Sequence, residues 1–106
     1  MVGANSNRGR TEVIRVTDEE TLERVVDSPG TVLVEFSADW SKQCEAVTKP
    51  IRERARAANC TVAVVDVERR PDIACRFDID ALPTVIRVDN GRVVDRSTGT
   101  SDIEVE

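Results

Sequence analysis

Histidine is absent from all 106 residues of this chain. The absence excludes Ser-His and Cys-His nucleophile pairs, which depend on an imidazole base. Aromatic residues are scarce: tyrosine is missing, and Phe36, Phe77 and Trp40 are the whole set. A core must therefore come mainly from Val, Ile, Leu and Ala. No apolar run approaches the roughly 20 residues of a membrane span. The opening Met1 to Arg10 lacks the apolar segment of an export signal, so a cytoplasmic protein with no membrane partner is expected. Lysine occurs only at Lys42 and Lys49, and the net charge is -5, which argues against a nucleic-acid partner. Arg52, Arg54 and Arg56 sit among Glu45 and Glu53 on a helix and read as a solvated face. Three cysteines, Cys44, Cys60 and Cys75, are an odd number at irregular spacing. They fit neither a secreted disulfide framework nor a zinc site built from paired ligands, and no motif calls for a metal or an organic cofactor.

A chain of this length fits one domain with one core. Residues 1–11 are small, polar and aperiodic and read as a flexible N-terminal tail, leaving residues 12–106 as the folded domain. Val13 to Val16 reads as a short strand. Thr17 is placed to cap the next helix, with Glu20 as its capping-box partner and Leu22, Val25 and Val26 on its apolar face. Val32 to Phe36 is a nearly continuous apolar run suited to a central strand covered on both faces, interrupted by Glu35. From Lys42 to Ala58, Cys44, Val47, Ile51, Ala55 and Ala58 recur at helical spacing, with Pro50 inside the helix as a source of a kink. Thr61 to Val67 is β-branched and strand-like, and Pro71 opens a short helix carrying Ile73, Ala74 and Phe77. Thr84 to Val88 and Arg92 to Arg96 flank Asn90-Gly91, a hairpin signal. The order β-α-β-α-β-α-β-β demands a mixed sheet flanked by helices, because crossovers give parallel neighbours and the final hairpin must be antiparallel.

Four features then meet: Glu35 in a buried strand, the turn Trp40-Ser41-Lys42-Gln43-Cys44 at a helix N-terminus, Leu82-Pro83-Thr84 ahead of a core strand, and Gly99 after the last hairpin. Together they resemble the thioredoxin family over about residues 13–100. Val32 to Cys44 aligns with the family's strand and W-C-x-x-C turn without a gap, and Thr61 to Gly99 matches the family again without a gap. The resemblance implies a thioredoxin fold of the α/β class, with protein thiols or disulfides as partners. It also implies a role for each matching position. Cys44 corresponds to the resolving cysteine and Glu35 to the buried acid that moves a proton on or off its sulfur. Pro83 corresponds to the cis-proline, and Trp40 and Gly99 belong to the surface beside it. Leu82, Thr84, Lys42 and Gln43 complete a groove for an extended peptide.

The departures from the family pattern are specific. Ser41 stands where the family places its nucleophilic cysteine. A serine hydroxyl cannot form a disulfide, and its pKa is far too high for a helix N-terminus to ionise it. Dithiol exchange across this motif is therefore expected to be impaired. Lys42-Gln43 replaces Gly-Pro, Pro50 falls one residue late, and Val64 replaces the lysine that often accompanies the buried acid, so the Glu35 carboxyl is expected to stay protonated more easily. The family's last helix is expected to be truncated or absent. Its loss would leave one sheet face to be covered either by Ile103 and Val105 folding back or by a second copy in a homodimer. Three functions stay open. The chain is a thiol-disulfide protein with a single motif thiol, a non-catalytic module using the Pro83 groove, or a working dithiol enzyme in which Ser41 has been engineered in place of cysteine. Cys60 and Cys75 read as structural thiols.

Overall fold

The structure is a computed structural model that describes residues 13–38, 42–99 and 103, without the side chains of Lys42 and Gln43. Its elements are β1 (Val13–Val16), α1 (Glu19–Val26), β2 (Thr31–Ser37), α2 (Lys42–Ala58), β3 (Thr61–Asp66), α3 (Pro71–Arg76), β4 (Thr84–Asp89) and β5 (Arg92–Thr98). They form one five-stranded sheet in the order β1-β3-β2-β4-β5. β1 and β2 both run parallel to β3, while β4 is antiparallel to β2 and β5 to β4. The mixed sheet flanked by helices is thus present, and β2 lies at its centre, as the apolar run Val32 to Phe36 requires.

Alternation along the strands divides the core into two layers. Val32, Val34 and Phe36 of β2 join Ala63, Val65, Ile86 and Val88 beneath Leu22 and Val25 of α1 and Ile73 of α3. Leu33, Val62, Val64 and Val85 meet Val47, Ile51 and Ala55 of α2 on the opposite face. Glu35 lies two residues beyond Leu33, so the same alternation sends its side chain into the α2 layer, where it is 0% exposed.

Two local devices differ from the sequence reading. Asp18, not Thr17, is the N-cap of α1, and its carboxylate accepts a 2.7 Å hydrogen bond from the Thr21 amide. A carboxylate three residues ahead of that amide satisfies an unpaired donor and complements the positive end of the helix, which a hydroxyl does less well. β5 also runs on to Thr98, because Thr98 and Ser97 still pair with Thr84 and Val85. Asn90 and Gly91 have φ of 50° and 86°, the two positive values a tight hairpin turn demands. The Asn90 side chain locks the turn to the start of β2 by accepting from the Gly30 amide at 2.9 Å.

Among the described residues no helix comes after β5. Ile103 is instead buried in the α2 layer against residues such as Leu33, Val62 and Val85. Arg54 of α2 donates from Nη2 to the Ile103 carbonyl. Val105 lies outside the described residues.

Candidate functional site

The site grows from the C-terminal end of β2 and the N-terminal end of α2. Cys44 is the third residue of α2 and is 3% exposed. Thr48 comes one helical turn later and Arg52 one turn after that, so the three share a stripe of the helix that faces β2 and β3. Cys44, Thr48, Arg52 and Glu35 line one cleft of about 150 Å³, together with Arg15 of β1 and Asp66 of β3. All three cysteines are thiols; Cys60 is buried where α2 gives way to β3, and Cys75 is exposed on α3.

Glu35 is held in an unusual electrostatic setting. Its neighbours in register are Val64 on one side and Val85 on the other. Burial among them pushes its pKa above the ordinary carboxylate value, against the smaller lowering effects of a hydrogen bond from Thr48 and the positive charge of Arg52. Thr48 Oγ1 donates to Glu35 Oε2. The second oxygen, Oε1, is buried and has no hydrogen-bond partner among the described residues. A carboxyl so placed is poised to take up and release a proton at a higher pH than an exposed glutamate.

On the far side of β2, the Leu82–Pro83 peptide is cis and Pro83 is buried. The Gly99 amide donates to the Pro83 carbonyl at 2.8 Å, which ties the end of β5 to the proline loop. Gly99 has φ of 76°, a left-handed conformation that favours glycine there. Thr84 is also buried, and its hydroxyl donates to the Ala81 carbonyl at 2.7 Å, closing the loop beneath Leu82 and Pro83. Leu82, Pro83, Thr84 and Gly99 thus come together. Trp40 and Ser41 lie outside the described residues, as do the side chains of Lys42 and Gln43.

Thr48 belongs to the site although no motif marks it, and Arg52 and Arg54 are not on a solvated face. Arg52 is half-buried in the cleft and Arg54 donates to the Ile103 carbonyl, so only Arg56 of that trio stands on an exposed face. The signal was available in the four-residue spacing of Cys44, Thr48 and Arg52, which places all three on one side of a helix.

A thioredoxin family model matches residues 12–105. The thioredoxin of Mycobacterium tuberculosis is 36% identical over 92 residues, covering 85% of this chain and 79% of that protein. The mitochondrial thioredoxin of Mus musculus is 35% identical over 83 residues, covering 76% of this chain and 49% of its relative. Among solved structures, a mutant thioredoxin from Halobacterium salinarum superimposes with a TM-score of 0.76 at 26% identity, covering 86% of this chain and 80% of the other. With the mixed sheet, the Glu35 and Cys44 cleft and the Pro83 loop in place, these matches lead to one conclusion: the chain belongs to the thioredoxin family, a family of thiol-disulfide oxidoreductases.

Proposed function

We propose that this chain, with residues 12–106 as its thioredoxin-like domain and 1–11 as a tail, is a cytoplasmic thiol-disulfide protein whose motif keeps one working thiol, Cys44. Ser41 leaves exchange through the motif incomplete. The observation that carries this reading is the shared cleft of Cys44 and Glu35, which gives the sulfur a buried carboxyl for its proton.

The chemistry open to such a site stops halfway. The Cys44 thiol gives its proton to Glu35, and the thiolate attacks a partner disulfide. One bond forms between Cys44 Sγ and a partner sulfur, the partner's S–S bond breaks, and the leaving thiolate takes up a proton. With a second motif thiol, an internal attack would release the partner fully reduced. With Ser41 there, release waits for an external thiol.

A second reading is favoured by the burial of Cys44. A sulfur 3% exposed is poorly offered to a partner, which suits a non-catalytic module that holds an extended peptide at Leu82-Pro83-Thr84, with Trp40, Lys42, Gln43 and Gly99 assigned to the same groove. In either reading the partner is a protein, and a homodimer sharing the sheet face is the alternative to its cover by Ile103.

Reaction with a small aromatic disulfide reagent, in a Cys75→Ser background that removes the exposed thiol, separates the readings. The thiol reading expects slow release of one reagent thiol per chain and a stable mixed disulfide at Cys44 by peptide mass mapping. No adduct at Cys44 after prolonged incubation of the folded protein overturns it and leaves the binding module.

A further inference from the structure

We propose that Thr48 is a positioning residue for the motif chemistry: its hydroxyl holds the Glu35 carboxyl by Oε2 and so leaves Oε1 as the oxygen that exchanges a proton with the cleft beside Cys44. The inference rests on the pairing of Cys44 with Glu35 proposed above.

On the sheet, the neighbours of Glu35 in register are Val64 and Val85, and neither side chain offers a hydrogen bond. The orientation of the carboxyl is therefore set from α2, where Thr48 donates to Oε2. An oxygen that accepts a hydroxyl proton is the poorer place for the carboxyl's own proton, so the acid form carries it on Oε1. That oxygen is buried and without a hydrogen-bond partner among the described residues. It is thus the oxygen left to give and receive protons.

The spacing on α2 couples this to the sulfur. Cys44 and Thr48 are one turn apart on the same face, so the residue that orients the acid and the residue that needs it are carried by one rigid element. The cleft's other charged groups are Arg15 from β1, Glu45 and Arg52 from α2, and Asp66 from β3. Of these, Arg52 acts in the same sense as Thr48, since both favour the ionised carboxylate against the cost of burial. Thr48 differs from Arg52 in being directional: it selects an oxygen as well as a charge state.

The test uses the full chain and two changes of different kind. Thr48→Val removes the hydroxyl at nearly constant shape, and Thr48→Ser keeps it; Thr48→Ala is a second deletion should the valine disturb folding. Carbon NMR of the Glu35 carboxyl, assigned with Glu35→Gln, reads its titration directly. Losing a hydrogen bond to a charged group should raise the Glu35 midpoint by about one pH unit or more, while Thr48→Ser leaves it within a few tenths. The pH profile of Cys44 alkylation, tracked by peptide mass mapping, should carry an inflection at the Glu35 midpoint and move with it. A midpoint that stays in place without the hydroxyl, or that moves equally with serine, overturns the role of Thr48 alone. A midpoint that moves while the Cys44 profile stays fixed overturns the pairing of Cys44 with Glu35, and the positioning role with it.

Discussion

Glu35 lies directly beside Val64 in the parallel register of β2 and β3, so a carboxyl at the centre of the sheet has a branched hydrocarbon where a cation could have been. The consequence is electrostatic. Burial is the largest influence on this group, and it favours the protonated form.

Stability should therefore depend on pH in a definite direction. Because the folded-state pKa of Glu35 is raised above the unfolded value near 4.5, its favourable contribution is complete below that value and is lost as pH rises through the folded pKa. Denaturant unfolding at a series of pH values should show stability falling across this window. In Glu35→Gln the fall should flatten, and at neutral pH the variant should be at least as stable as the parent. A parallel pH profile for the two proteins would contradict the assignment.

Much of this was legible in the sequence. The apolar run around Val34, the Asn90-Gly91 turn and the stripe of Val47, Ile51 and Ala55 each carry a local signal that the tertiary structure obeys. The site was half legible: Cys44 and Glu35 stand out because their chemistry is conspicuous in apolar surroundings. Thr48 and Arg52 showed only in their four-residue spacing from Cys44, and Arg54 not at all, since a polar helix residue looks solvated until the partner across the gap is known. Thr48 and Glu35 are brought together only by packing of α2 on the sheet, and Arg54 and Ile103 by the return of the chain past β5.

That return is itself testable. Ile103 is 2% exposed in the layer between α2 and the sheet, and its carbonyl is held by Arg54. Ile103→Ala should cost about 2 kcal/mol or more, in the usual range for truncating a buried aliphatic side chain. Sedimentation over a concentration series should show greater self-association than in the parent, because the change uncovers apolar surface. Unchanged stability and unchanged sedimentation would mean that the α2 face does not need this cover.

The residue on which the proposed function turns is Ser41, a serine at the position that the proposal assigns to a nucleophilic sulfur. The most direct measurement is steady-state reduction of insulin disulfides, with dithiothreitol as electron donor, by the unaltered chain and by Ser41→Cys side by side. We expect a rate indistinguishable from the dithiothreitol background for the unaltered chain and sustained turnover for Ser41→Cys. Comparable turnover by both proteins would contradict a motif left with a single working thiol.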